Sequence, residues 1–276
     1  MVEGFRSPLA PDALAGRAAI VTGGGTGIGA ATARAIVAAG GTVAICGRRS
    51  EPIAAVANEL GDRCFAQPCD VREPEQVGAL LDAVAQRTDR VDILVNNAGG
   101  QFAAGLEDTS PKGLRAIHRL NVDATWDVTA RVAERWMIPQ RSGFVAFLGF
   151  SPRRGIPSVV PSSMARSALE TFAAGIALEW SRFGIRAVCV SPGVIQTEGI
   201  LQYGGQEVVD AFAEEIPMRR AGTPEEVAAT IAFLATDGGG YITGTTVVVD
   251  GGADAWGQGH APPPLEPGVP PRAERS

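Results

Sequence analysis

Short apolar runs alternate along this chain with longer segments in which apolar residues recur every three or four positions. The short runs are rich in Val, Ile and Ala and contain few polar positions, which is typical of strands buried on both faces of a parallel sheet. They cover residues 18–21, 42–46, 64–67, 91–95, 144–148, 185–190 and 245–249. The segments of helical period cover residues 28–39, 74–87, 110–135, 159–183 and 224–235.

This alternation predicts a single-domain, doubly wound α/β fold of the Rossmann type, with a seven-stranded parallel sheet and helices on both faces. The chain has 276 residues, of which 45% are hydrophobic, so it can bury one large core. We expect the domain to span residues 16–256. Residues 1–15 are expected to form an arm, and the Pro-rich residues 257–276 a flexible tail.

Charge and cysteine content exclude several classes of function. A net charge of −6 without a basic run argues against nucleic-acid binding. Neither a signal peptide nor an apolar stretch long enough to span a bilayer is visible, so no membrane partner is expected. The four cysteines have neither disulfide-framework nor zinc spacing, which predicts buried reduced thiols and no metal site. These features favour a cytoplasmic protein.

A glycine-rich segment, Thr-Gly-Gly-Gly-Thr-Gly-Ile-Gly at residues 22–29, lies between the first predicted strand and the first predicted helix. In that position, backbone N–H groups and the positive end of a helix can face a pyrophosphate. Glycine is needed because a Cβ would block the turn or the approach of the phosphates. The placement inside a βαβ unit predicts a dinucleotide site rather than an ordinary turn.

The spacing of Gly23, Gly27 and Gly29 resembles that of the short-chain dehydrogenase/reductase family, and further family motifs follow in order. They are Cys-Asp-Val at 69–71, Asn-Asn-Ala-Gly at 96–99, Leu-Asn-Val at 120–122, Pro-Gly-Val-Ile-Gln-Thr at 192–197 and Asp-Gly-Gly at 250–252. The resemblance covers residues 14–252. It implies a nicotinamide cofactor, an active-site asparagine at Asn121, and a homo-oligomer, commonly a tetramer. It also implies cofactor contacts from Gly23, Thr26, Gly27, Ile28, Gly29, Asp70, Val71, Asn97, Ala98, Gly99, Arg166, Pro192, Gly193, Ile195 and Thr197.

The end of the second predicted strand favours NADP(H) over NAD(H). An acidic residue there would bind the 2′-hydroxyl of NAD, whereas this chain has Gly47 followed by Arg48 and Arg49. A guanidinium offers a fork of donors to a 2′-phosphate. The alternative is that both arginines merely face solvent.

The usual catalytic residues of the family are absent. The family carries Tyr-x-x-x-Lys, in which the tyrosine gives its proton to a nascent alkoxide. The equivalent positions here are Ser162 and Arg166, while Gly149 or Phe150, with Ser151 adjacent, occupies the place of the usual serine. The chain's single lysine, Lys112, forms no such motif.

Two interpretations compete: a homologue that binds NADP but has no activity, and a reduction that needs no acid at this position. Ser-x-x-x-Arg resembles the peroxisomal trans-2-enoyl-CoA reductases, close to the 2,4-dienoyl-CoA reductases, and so favours an NADPH-dependent reductase of an α,β-unsaturated acyl thioester. Hydride addition to the β-carbon leaves an enolate, to which Asn121, Ser162 and Ser151 could donate. Arg166 would orient the nicotinamide ribose. A reductase of another carbonyl or natural-product intermediate remains the alternative enzyme.

The remaining candidates concern substrate and proton donor. Tyr203 is the best remaining phenol, as a proton donor or as part of a substrate lid. Gln101 and Phe102 are expected to line the acyl site. His118 is interpreted as structural.

Overall fold

The computed structural model of the protein describes residues 9–151, 156–201 and 205–256. In these ranges, seven strands form one parallel sheet in the order β3-β2-β1-β4-β5-β6-β7. The strands are β1 (Ala18–Thr22), β2 (Thr42–Gly47), β3 (Cys64–Pro68), β4 (Ile93–Asn96), β5 (Gly143–Leu148), β6 (Ile185–Pro192) and β7 (Thr245–Val249).

The strand order reverses between β1 and β4. From β1 the chain first builds outward to β2 and β3, and then crosses back to place β4 on the other side of β1. Val21 of β1 pairs with Ile45 of β2 and with Val95 of β4. Because helices leave in opposite directions at such a reversal, a crevice opens at the carboxyl ends of these two strands.

Helices cover both faces of the sheet. They are α1 (Gly27–Ala38), α2 (Ser50–Leu60), α3 (Pro74–Ala85), α4 (Pro111–His118), α5 (Ala124–Val132), α6 (Ile138–Gln140), α7 (Val160–Trp180), α8 (Glu198–Leu201), α9 (Gly205–Glu215), α10 (Pro224–Ala235) and α11 (Ala253–Trp256). π-helical turns at Arg119–Asp123 and Ala133–Met137 join α4, α5 and α6.

Two separate hydrophobic layers hold the helices to the sheet. One layer includes Leu80 of α3, Val128 of α5 and Leu169 of α7, and the other includes Ile36 of α1 and Ile231 of α10. The inner strands β1, β4, β5 and β6 are thus buried on both faces, which explains their near-continuous apolar runs, whereas the edge strands β3 and β7 are only partly buried.

The predicted fold class and all seven predicted strands are confirmed, with boundaries that shift by at most two residues. The predicted segment 110–135 corresponds to α4 and α5 with the π-helical turns. Helices α2, α6, α8, α9 and α11 lie outside the five predicted segments. All four cysteines are buried and free, as predicted. Leu14, assigned from the sequence to the arm, is fully buried in the core.

No helix in the described ranges has the length and apolar character needed to cross a bilayer.

Helix α10 begins with a capping box, which provides a test of the fold. The Thr223 hydroxyl accepts from the N–H of Glu226 at 3.3 Å, and a Glu226 oxygen accepts from the N–H of Thr223 at 2.8 Å. We expect Thr223→Ala to lower the free energy of unfolding by about 1 kcal/mol. Thr230→Ala, which removes the same atoms from the middle of α10, should change it by less than about 0.5 kcal/mol. Urea unfolding measures both, and equal losses would contradict the capping role.

Candidate active site

The loop between β1 and α1 is so closely packed that its glycines have no room for a side chain. A Cβ at Gly29 would overlap the carbonyl oxygen of Gly23 and would lie 2.5 Å from Nδ2 of Asn97. A Cβ at Gly23, where φ is +67°, would lie 2.7 Å from the same nitrogen. The loop therefore keeps bare backbone at the amino end of α1, as phosphate binding requires.

Asn97 holds this loop against the end of β4. Its Nδ2 donates to the carbonyl oxygens of Thr22 at 2.8 Å and Gly23 at 3.0 Å. In return, the Thr22 hydroxyl accepts from the backbone N–H groups of Asn97 at 3.0 Å and Ala98 at 2.9 Å. These four hydrogen bonds fix both sides of the crevice that the strand reversal opens.

One cavity of about 1410 Å³ follows the carboxyl edge of the sheet. This is more than a single drug-sized ligand needs, and leaves room for a dinucleotide with a second molecule beside it. Every predicted cofactor residue except Gly29 lines it. These residues are Gly23, Thr26, Gly27, Ile28, Arg48, Arg49, Asp70, Val71, Asn97, Ala98, Gly99, Arg166, Pro192, Gly193, Ile195 and Thr197.

Positive charge marks the end of the cavity beside β2. Arg48 and Arg49 are exposed there and form no hydrogen bond to another described residue. Hydrogen bonds from Arg72, helped by the charge of Arg48, lower the pKa of Asp70 to about 2. Because Arg72 neutralises Asp70, two free guanidinium groups remain at this end.

Arg166 occupies the opposite, inner part of the cavity. Its Nη1 donates to the carbonyl oxygen of Leu148 at 2.5 Å, and its Nη2 lies in the space that a side chain at Gly99 would fill. Burial lowers the pKa of Arg166 to about 10. The guanidinium is therefore charged at neutral pH.

Ser162 lies one helical turn before Arg166 on α7 and is 2% exposed. Its hydroxyl is buried without a hydrogen-bond partner among the described residues. A buried hydroxyl without a hydrogen-bond partner costs about 1–3 kcal/mol of stability, so an unpaired one at this position calls for an explanation. Ser162 does not line the cavity itself.

The structure corrects the donor role expected for Asn121. This residue is fully buried within the π-helical turn, and its Nδ2 donates to the carbonyl oxygens of Ile117 at 2.9 Å and Gly100 at 3.0 Å. Its Oδ1 accepts from the N–H of Gly100 at 3.2 Å. Both amide hydrogens are used, so Asn121 positions the backbone at Gly100 and has no hydrogen left for a substrate.

The hydroxyl of Ser151 also donates its hydrogen to another residue of the protein. Its hydroxyl donates to Oδ2 of Asp250 at 2.5 Å, so its oxygen presents lone pairs, and no hydrogen, to the cavity that it lines. Asp250 accepts further hydrogen bonds from the N–H groups of Gly252 and Asp254. The sequence analysis treated Asp250 only as the end of the last strand. Its partnership with Ser151 was missed because 99 positions separate the two.

Gly149 is glycine because the space for a side chain there is filled. A Cβ would overlap Oγ of Ser191 and would lie 2.7 Å from Sγ of Cys189. A serine hydroxyl of the usual kind therefore has no room at this position.

The substrate candidates are placed differently from one another. Gln101 lines the cavity, whereas Phe102 does not. The Phe102 ring packs against α4, where its Cζ atom would lie 3.2 Å from a Cβ at Gly113. Its expected place in the acyl site stays a prediction. Tyr203 lies outside the described residues. His118 has a buried Nε2 without a hydrogen-bond partner in the described ranges.

An apolar wall that the sequence analysis missed completes the cavity. It comes from the segment before α7 and from α9 and the turn after it, and includes Ile156, Pro157, Val159, Val208, Phe212 and Ile216. The N–H of Ala104 donates to the carbonyl oxygen of Ser158 at 2.8 Å, which ties the first of these segments to the loop that carries Gln101. The wall could hold an apolar group beside the dinucleotide crevice.

Comparison with known proteins agrees with this geometry. Residues 23–254 match the family model described as Enoyl-(Acyl carrier protein) reductase. The chain is 34% identical to a probable 2,4-dienoyl-CoA reductase 3 of Caenorhabditis elegans over 92% of this chain and 85% of the relative. A peroxisomal 2,4-dienoyl-CoA reductase of Danio rerio is 33% identical over 88% of this chain and 83% of its own length.

Among solved structures, one described as a short chain dehydrogenase/reductase family protein superposes with a TM-score of 0.80 at 33% identity, over 88% of this chain and 99% of that chain. The chain belongs to the short-chain dehydrogenase/reductase family. It is an oxidoreductase of the type that uses a nicotinamide cofactor. The glycine loop, where Cβ atoms have no room, fits the dinucleotide of such a cofactor.

The glycine loop yields a direct test. We expect Gly29→Ala to raise the dissociation constant for NADPH at least about tenfold, because the new methyl must displace the Gly23 backbone or the Asn97 amide. Gly78→Ala on α3, where a Cβ meets nothing within 4 Å, is the matched control and should leave binding unchanged. Fluorescence titration with NADPH measures both, and unchanged binding in Gly29→Ala would contradict the assignment of the loop.

Proposed function

We propose that this short-chain reductase uses NADPH to reduce an α,β-unsaturated acyl thioester of the trans-2-enoyl-CoA type. The observation that carries the proposal is the inner part of the cavity, which Arg166 lines, with the unpartnered hydroxyl of Ser162 one turn earlier on α7 and outside the lining. The motif resemblance sets these two residues against the usual lysine and tyrosine. A carbonyl reduction needs an acid for the alkoxide, whereas reduction of a conjugated double bond needs donors for an enolate. The dienoyl-CoA reductases among the relatives support an acyl-CoA substrate.

The residues that line the crevice would hold NADPH. The bare backbone of the Gly23–Gly29 loop would face the pyrophosphate, Arg48 and Arg49 the 2′-phosphate, and Arg166 the nicotinamide ribose. When bound, the cofactor supplies a hydride for the β-carbon of the substrate.

Of the three donors expected for the enolate oxygen, only Ser162 keeps a free hydrogen in the described structure. Asn121 and Ser151 act as positioning residues in this proposal: the first holds the backbone at Gly100, and the second joins the segment after β5 to the end of β7 through Asp250. The α-carbon takes its proton from water or from the Tyr203 phenol. The apolar wall with Val208 and Phe212 would hold the acyl chain.

A homo-oligomer in the cytoplasm is part of the proposal. Large apolar side chains are exposed on two of the long helices, with Trp126 of α5 at 58%, and Met164 and Leu178 of α7 at 51% and 81%. Exposed apolar groups that share neighbouring helices suit contacts between copies of the chain.

Turnover tests the proposed reaction. Purified protein with NADPH should reduce crotonyl-CoA, octenoyl-CoA or a 2,4-dienoyl-CoA, followed by the loss of nicotinamide absorbance. The longer acyl chain should give the higher kcat/KM, because the apolar wall can bury it. If no thioester is reduced while NADPH still raises the melting temperature, the proposed substrate class is wrong.

Cofactor preference tests the arginine pair separately. NADPH should bind at least about tenfold tighter than NADH, since a bidentate contact of guanidinium with phosphate is charge-assisted. The double variant Arg48→Gln/Arg49→Gln should lose this preference without weakening NADH. Arg63→Gln, which removes an exposed arginine outside the cavity, serves as the control. Equal affinity of the unchanged protein for NADH and NADPH would refute the assignment.

A further inference from the structure

Arg166 is a half-buried cation that pairs with no carboxylate among the described residues. Desolvation is the main influence on its pKa, and no carboxylate contributes to it. The described ranges give it one hydrogen bond, from Nη1 to the carbonyl oxygen of Leu148. A guanidinium has five N–H donors, so most of them have no protein acceptor there.

An uncompensated buried charge is disfavoured unless something balances it. Arg166 lines the cavity, and so do Gly99, Leu148 and Gly149 around it. The missing anion can therefore enter from the cavity. A ribose hydroxyl, the partner expected from the sequence, is neutral and supplies no balancing charge.

The position of the guanidinium is fixed on two sides. Leu148 holds Nη1, while Nη2 fills the space that any side chain at residue 99 would need. Oδ1 of Asn121 lies 2.7 Å from the position that a Cβ at Gly99 would take. The same oxygen accepts a hydrogen bond from the N–H of Gly100, which holds the backbone of this corner in place. The unpartnered hydroxyl of Ser162 lies one turn earlier on the same helix as Arg166.

We propose that the corner formed by Gly99, Leu148 and Arg166 is an oxyanion site, in which the Arg166 guanidinium binds the negative oxygen that develops on the substrate. This inference rests on the proposed function and deepens it: the same arginine that faces the ribose balances the enolate charge. The ligand class is a planar, conjugated, singly charged oxygen anion. Because the guanidinium keeps its proton up to about pH 10, the site stays cationic across the neutral range.

Anion preference can be measured without turnover. Crotonate and crotonamide have nearly the same shape, and only crotonate carries a charge. The protein, saturated with NADP⁺ (or NAD⁺ if that binds tighter), should bind crotonate at least about tenfold tighter than crotonamide, as charge-assisted hydrogen bonds imply. Isothermal titration measures both affinities, and a separate titration with the nucleotide shows that each variant is folded and loaded.

Variants locate the source of the preference. Arg166→Met should abolish it, and Arg166→Lys should keep part of it. Gly99→Ala keeps the arginine but forces its Nη2 to move, and should reduce the preference several-fold. Arg182→Met removes a positive charge from an exposed position just beyond the far end of α7 and should match the unchanged protein.

Equal binding of crotonate and crotonamide by the unchanged protein would overturn the inference, as would full preference in Arg166→Met. If Arg166→Met no longer binds nucleotide, Gly99→Ala decides, and full preference in that variant overturns the inference. Because no thioester is used, failure here is separate from failure of the proposed reaction. If the protein reduces thioesters but shows no preference for crotonate over crotonamide, the proposed function stands and the proposed oxyanion site is wrong.

Discussion

The amide of Asn97 fills the space that side chains at Gly23 and Gly29 would need, and the site depends on this contact. The amide bonds the backbone of the loop after β1, while the hydroxyl of Thr22 bonds the backbone after β4. The two strands on either side of the order reversal are thus joined at their carboxyl ends. The crevice keeps a fixed width and bare backbone at the start of α1, both of which a dinucleotide requires.

The contact of Asn97 with the glycine loop shapes the site for a dinucleotide, but it does not determine which reaction follows. What the rest of the cavity can do depends on its lining. It has two free arginines at one end, a half-buried arginine at the inner corner, and an apolar wall from the segment before α7 and from α9. The proposed reduction of a conjugated thioester rests on the motif resemblance, which sets Ser162 and Arg166 against the usual tyrosine and lysine. Such a site would have to hold an enolate rather than protonate an alkoxide. Gly149, one of the two positions expected for the usual serine, has no room for a side chain, because Ser191 and Cys189 fill that space.

The sequence predicted the sheet well because the inner strands are buried on both faces, so that an apolar run suffices to find them. Most of the residues expected to contact the cofactor follow strands along the chain, and all of them except Gly29 line one cavity, so their role in binding stays a prediction. The sequence could not predict what depends on side-chain partners far apart in sequence. Ser151 was expected to donate to substrate, but Asp250 takes its hydrogen. Asn121 was expected to do the same, but the π-helical turn directs its amide to Gly100 and Ile117, and no local pattern marks such a turn. Phe102 packs near Gly113 of α4, and the sequence around Phe102 does not indicate this neighbour.

The central claim is that the chain delivers hydride to a carbon–carbon double bond and not to a carbonyl. The most direct measurement uses NADPH that carries deuterium at the transferable position, with octenoyl-CoA in ordinary water. Nuclear magnetic resonance and mass spectrometry of the product then locate the label. The account predicts octanoyl-CoA with one deuterium on the β-carbon and a solvent hydrogen on the α-carbon. Deuterium on the former carbonyl carbon, in an aldehyde or alcohol product, would contradict it.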